Sequence, residues 1–212
     1  MANELYLLSG LGADKRVFDF LDLHGFKLIH IDWIKPLEDE KIESYAGRLL
    51  EQIKTHRPTL IGVSFGGMIA IEIAKLIETN KVVLISSAIT KAGIPLRHRL
   101  AGSLWLNKLI PAPLYRKANF VVYWLFGVKK KKEKELLKAI MDDADDDFVD
   151  WATNKIVNWK NEEVPANVIT IHGTADLILP YKKADHVVQH GGHLMIVTKA
   201  EEVSRIIRKV LE

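Results

Sequence analysis

The chain has no cysteine among its 212 residues. That excludes a thiol nucleophile, a disulfide framework and thiolate metal sites, and it fits a reducing compartment. Long apolar runs are missing too: nothing approaches the roughly 20 consecutive apolar residues that span a bilayer. The opening "MANELYLLSGLG" has no basic stretch and too short an apolar run for a secretory signal, so a cytoplasmic protein is expected. Charge of one sign is also scarce. Thirty Lys and Arg against 27 Asp and Glu leave a formal net charge of +3, which gives no general argument for nucleic-acid binding. No His, Asp or Glu cluster has metal-ligand spacing, and no phosphate loop or dinucleotide fingerprint occurs. Neither a metal nor a cofactor is expected.

The chain does have the material of one medium globular domain, or a domain with an inserted subdomain, with 48% hydrophobic and 27% charged residues. Apolar runs recur at 4–10, 27–32, 59–64, 81–87 and 166–173, with a weaker one at 185–190. They are continuous rather than alternating, as expected of strands buried on both faces of a parallel sheet. Between them lie helical patterns. Ile42, Tyr45, Ala46, Leu49, Leu50 and Ile53 form one apolar face, and Met68, Ile71, Ile73, Ala74 and Ile77 follow Ser64. Ala200, Val203, Ile206, Ile207, Val210 and Leu211 mark a last amphipathic helix. Alternation of this kind predicts βαβ units and an α/β, doubly wound, mostly parallel sheet.

The alternation stops over 88–164, which is read as a mostly helical insertion into a core made of 1–87 and 165–212. The insertion holds four of the five tryptophans, Trp105, Trp124, Trp151 and Trp159. Its charge is lopsided: ten Lys or Arg and no acid over 88–132, then eight acids and two lysines over 133–150. The runs "KKKKEKE" and "DDADDD" read as solvated helix surface. In "NFVVYWLFGV" followed by "KKKK" (119–132), an apolar and aromatic stretch meets a basic one. This reads as a lid helix over a site, or as a lid that touches acidic lipid surfaces or anionic substrates without inserting.

One turn carries chemistry. In "TLIGVSFGGMIAIEIAK" (59–75), Ser64 stands between a buried strand and a helix, with Gly62 and Gly66 two residues to either side. Such a turn pushes a serine side chain out at the C-terminal sheet edge, where open α/β sheets bind ligands. The next N–H, that of Phe65, lies at a helix N-terminus and can donate to an oxyanion. An unactivated hydroxyl also needs a base and a group to orient that base. Asp176 in "IHGTADLILP" and His193 in "QHGGHLMIV" occupy loops that open on the same edge. The alternative for Ser64 alone is a helix N-cap on a glycine-rich turn.

These stretches together resemble the α/β-hydrolase family along nearly the whole chain. "GVSFGG" is similar to its nucleophile elbow, "HGTAD" to its acid loop and "GGHLMI" to its histidine loop. "LLSGLGADKRVF" resembles the loop after the first strand, and 88–164 stands where the family has a helical cap. The resemblance implies Ser64 as nucleophile, His193 as general base and then acid, and Asp176 as its orienting carboxylate. It implies an oxyanion hole from the N–H groups of Phe65 and Leu11. Two departures stand out: Ser9 replaces the usual histidine before Gly10, and Val63 precedes Ser64 where many relatives have histidine. The expected substrate is a small molecule with an ester or related acyl bond and a fairly apolar group. Thioesterase, lactonase, C–C hydrolase, haloperoxidase-like and non-catalytic ligand-binding readings stay open.

Rivals for these roles are few. His190 is three residues from His193, but the paired Gly191 and Gly192 suit a turn that presents His193. His172 reads as a structural histidine beside the acid loop, and His24, His30, His56 and His98 as surface or helix-end residues. Asp14 reads as an N-cap and Asp32 as a turn residue that can line the pocket. Ser86 and Ser87 close a strand where some relatives carry the acid, a role serine cannot fill.

Overall fold

A computed structural model describes residues 4–96 and 117–212. His98, Trp105 and the other residues of 97–116 lie outside them. The strands are β1 (Glu4–Leu8), β2 (Lys27–His30), β3 (Thr59–Val63), β4 (Lys81–Ile85), β5 (Val168–Gly173) and β6 (His186–Val188). They form one sheet in the order β2-β1-β3-β4-β5-β6, and every neighbouring pair is parallel. All six lie within the predicted runs but stop short of them. At β6 the cause is visible. Asp185, the expected first residue, uses its carboxylate to accept from the N–H and Oγ1 of Thr170, at 2.9 and 2.7 Å. His190, the expected last residue, turns left-handed at φ 58°.

The described helices are α1 (Ile42–Leu49), α2 (Phe65–Leu76), α3 (Phe120–Phe126), α4 (Lys131–Asp143), α5 (Asp146–Val157), α6 (Met195–Thr198) and α7 (Ala200–Leu211). The apolar pattern through Ile53 outruns α1, whose end tightens into a 3-10 turn over Leu50–Gln52. Because strand side chains alternate, the sheet has two apolar faces. Leu5, Leu7, Ile61, Val63, Val83 and Ile85 pack with Val203, Ile207 and Val210 of α7. Tyr6, Leu8, Leu60, Val82 and Leu84 pack with α1 and α2 on the other side. Helices therefore cover both faces, which is the doubly wound arrangement.

Within 88–164 the described residues form a 3-10 turn at Lys91–Gly93 and the helices α3, α4 and α5. The segment shares both apolar faces with the rest of the chain. Val122, Leu137 and Ile140 join the α7 side; Phe148 and Ala152 join the α1/α2 side. Two of its tryptophans work as anchors. Trp151 packs on Tyr45 at 4.5 Å between ring centroids, and its Nε1 donates to the Glu40 carbonyl at 3.1 Å. Trp159, 3% exposed, donates from Nε1 to the buried Glu72 carboxylate at 2.7 Å. Among the described residues, no helix is long and apolar enough to cross a membrane.

Candidate active site

The site begins where β3 turns into α2. Ser64 has φ 52° and ψ −117°, a strained backbone for a residue with a Cβ. The strain is held by close packing on every side. A Cβ on Gly62 would lie 2.5 Å from the Gly66 carbonyl oxygen, and one on Gly66 would lie 2.2 Å from that of Ser9. The Ser64 N–H donates to the Ile85 carbonyl at 2.9 Å, and the Ser87 hydroxyl donates to the Ser64 carbonyl at 2.6 Å. The Ser64 hydroxyl makes no cap bond to α2, so the N-cap alternative does not describe it.

Instead the hydroxyl meets His193, whose Nε2 is 2.9 Å from Ser64 Oγ. The other ring nitrogen, Nδ1, is 2.8 Å from Asp176 Oδ2. An ionised carboxylate can only accept, so Nδ1 carries the proton and Nε2 is left to accept from the serine hydroxyl. Both partners are buried, His193 at 5% and Asp176 at 3% exposure. Asp176 Oδ1 accepts from the N–H groups of Ile178 and Leu179, each at 2.9 Å. Burial pushes the Asp176 pKa up, but His193, His172 and the Leu179 N–H together hold it well below the usual carboxyl range. The side chain is thus kept anionic beside the imidazole.

The loop after β1 approaches the same place. A Cβ on Gly10 would lie 3.6 Å from Ser64 Cβ. Ser9 Oγ donates to the Ala13 carbonyl at 2.7 Å, and Trp33 Nε1 donates to the same oxygen at 3.2 Å. Ser9, where the resemblance expects histidine, therefore still organises the loop, through an oxygen within it. Asp14 caps the following 3-10 turn, accepting from Arg16 N–H at 2.9 Å. Among the described residues, neither the Leu11 nor the Phe65 N–H has a hydrogen-bond partner. Phe65 is the first residue of α2, where an N–H has no intrahelical acceptor and the helix dipole favours negative charge.

The segment over 88–164 borders the site at two points. The Phe126 carbonyl accepts from the Leu194 N–H at 3.1 Å, and the Phe126 ring lies edge-on to His193 at 5.6 Å. On the other side, a Cβ on Gly12 would meet Val149 and Ala144 at 3.1 and 3.2 Å. Phe65 itself backs onto an aromatic group of Trp33, Phe148 and Trp151.

The remaining candidates fall away from the hydroxyl. His190 is exposed, and its N–H donates to Thr174 Oγ1 at 2.8 Å. The glycines before His193 serve close approach rather than positive φ: a Cβ on Gly192 would lie 2.9 Å from Gly127 Cα, and one on Gly191 3.1 Å from Gly173 Cα. Asp32 is exposed, and its backbone pairs with the Gln52 side-chain amide through two 2.9 Å bonds. Val63 is buried in the core. One supporting residue escapes sequence reasoning, Ser87, aligned only through the β3–β4 pairing. His172, expected as a structural histidine, is one: its Nε2 is 2.7 Å from the Leu179 carbonyl and 3.3 Å from Asp176 Oδ2. The signal for His172 was its place four residues before Asp176 on the same strand and loop. Among the described residues, no three His, Asp or Glu side chains gather where a metal ion could be held.

A parallel six-stranded sheet with a serine on a strained turn after its central strand defines a class, that of the α/β-hydrolase fold. A model of the alpha/beta hydrolase family matches residues 5–206, and the chain belongs to that family. No curated protein matches it by sequence. Among solved structures, a bromoperoxidase from Bacillus anthracis aligns at 16% identity and TM-score 0.71 over 100% of this chain and 92% of its own. The enol-lactonase from Burkholderia xenovorans LB400 aligns at 18% identity and TM-score 0.69, over 100% and 92%. An esterase from Exiguobacterium antarcticum aligns at 15% identity and TM-score 0.71, over 99% and 92%. At such identities the likeness is one of fold.

Proposed function

We propose that the protein is a serine hydrolase that cleaves an ester or related acyl bond of a fairly apolar small molecule. One observation carries the reading: His193 bridges Ser64 Oγ at 2.9 Å and the Asp176 carboxylate at 2.8 Å. In the proposed cycle Ser64 Oγ attacks the acyl carbon while His193 Nε2 takes the hydroxyl proton. The tetrahedral oxyanion faces the N–H groups of Phe65 and Leu11. Collapse expels the alcohol, which leaves with the proton from His193 Nε2. Water then attacks the acyl-enzyme by the same route, and the acid and free Ser64 are released. Asp176 keeps His193 in the required tautomer and offsets the charge it gains.

The apolar preference is supported by Phe126 against His193 and by Val149 and Ala144 against Gly12 in the loop after β1, all from 88–164, which we read as the cap. A panel of p-nitrophenyl esters of increasing acyl length tests both parts. Turnover is expected to rise with chain length and to fall at least about 10⁴-fold in Ser64→Ala and His193→Ala, with His190→Ala near wild type. Equal turnover in His193→Ala would move the base elsewhere. Absence of turnover in folded wild type, with ligand binding retained, would favour a binding protein.

A further inference from the structure

The segment that supplies Phe126 to His193 has an outer surface that the catalytic reading leaves unused. All seven residues of α3, "FVVYWLF", are apolar or aromatic. Among the described residues, only part of that apolar surface packs against the rest of the protein. Val122 is buried and Tyr123 and Phe126 pack against the core, whereas Phe120 is 83%, Val121 52% and Trp124 58% exposed. The three exposed residues fall at i, i+1 and i+4, one face of the helix. The helix is firmly built at both ends. Asn119 Oδ1 accepts from the Val122 N–H at 3.1 Å, and Gly127 closes it at φ 71°. The face is therefore a fixed apolar surface, and a helix apolar all round with one side outward needs a second apolar medium.

Charge that adjoins this helix along the chain points to the medium. Lys129, Lys130, Lys131 and Lys132 follow directly, all exposed, and Lys117 precedes it. Lys130 and Lys131 meet carboxylates only loosely, at 4.0 and 3.8 Å. Of the eight acids over 133–150, Glu133 and Glu135 are the ones beside the lysines, and five others, Asp142, Asp143, Asp145, Asp146 and Asp147, gather about the far end of α4. Aromatic side chains flanked by lysines match the headgroup layer of a bilayer rich in acidic lipids, where rings sit at the interface and lysines meet phosphates. We propose that this face docks the protein reversibly on anionic membrane surfaces through Phe120, Val121 and Trp124, with Lys129 to Lys132 as the electrostatic anchor. The inner side of the same helix ends at Phe126 against His193, so docking brings the site close to the bilayer.

The proposal does not rest on the acyl-transfer reading, because binding is measured without turnover and in Ser64→Ala as well as wild type. The protein is mixed with phosphatidylcholine vesicles with and without phosphatidylserine, at low and high salt, and sedimented. Binding is expected only with phosphatidylserine, and weaker at high salt. It is expected to fall at least about tenfold when Lys129, Lys130, Lys131 and Lys132 are all changed to Gln, and again in Phe120→Ser/Trp124→Ser. Folding of both variants is checked by circular dichroism. Brominated lipid should quench fluorescence in wild type more than in Trp124→Phe. No binding at either salt would overturn the proposal. So would binding indifferent to the lysine changes, or self-association in gel filtration that the Phe120/Trp124 variant abolishes.

Discussion

His172 looks like a spectator until its hydrogen bonds are counted. Its Nε2 faces two acceptors, the Leu179 carbonyl and Asp176 Oδ2, so it must carry a proton and donate. It thereby ties the acid loop to β5 and helps keep Asp176 ionised. His172→Phe should cost about 1.5–3 kcal/mol in urea unfolding, the usual loss for a bond to a charged group. Asp176 itself sets an acid limb in stability. Its folded pKa lies below the ordinary carboxyl value of 3.8, so under mildly acidic conditions the unfolded chain takes up the proton first. Stability from this group is present above about pH 4 and is lost as pH falls toward the folded value. Urea midpoints at about pH 5 and about pH 3 should therefore differ less in Asp176→Asn than in wild type. Ser64, Asp176 and His193 were legible because each stands in a short motif at a strand or loop end. A structural role for His172 was legible too, but its partners were not, and neither was the work of Ser87 and Ser9, because these depend on which carbonyl the fold brings opposite them.

At the scale of elements, the elbow depends on space rather than on glycine flexibility alone. Gly66 has a negative φ but no room, with the Ser9 and Leu8 carbonyl oxygens 2.2 and 2.3 Å from where a Cβ would sit. Gly25 is the opposite case, with φ +89° and nothing within 4 Å of that position. Gly66→Ala should cost about 3 kcal/mol or more, and Gly25→Ala only about 1 kcal/mol, as read by chemical denaturation. Similar losses would mean that the close packing behind Ser64 is not what holds its backbone. Strand and helix identities could be read from apolar runs and periodicity. Their ends could not: β6 is cut short by the Asp185 side chain and α1 by a tightened last turn, both decided by contacts outside the run.

At the scale of the molecule, the segment over 88–164 announced itself by its interrupted alternation, its tryptophans and its divided charge. Its seat did not, because the anchoring contacts join residues far apart in the chain. Trp159 and Glu72 are 87 residues apart, and Glu72 is 1% exposed with, among the described residues, Trp159 and Lys75 to satisfy it. Aromatic content that suggests an apolar substrate in the sequence is thus partly used to fasten the segment down. Trp159→Phe leaves one carboxylate oxygen buried without that donor. It should lower stability by about 1.5–3 kcal/mol, or Tm by roughly 4–10 °C in thermal melts. A Tm within about 1 °C of wild type would mean that the contact is not an anchor.

The most direct test of the account is the position of covalent labelling. Folded wild-type protein is treated with a fluorophosphonate, digested, and the modified peptide is mapped by mass spectrometry. A single adduct on Ser64 is expected, absent from Ser64→Ala and slowed by orders of magnitude in His193→Ala. An adduct on another residue, or none on the folded protein, would contradict it.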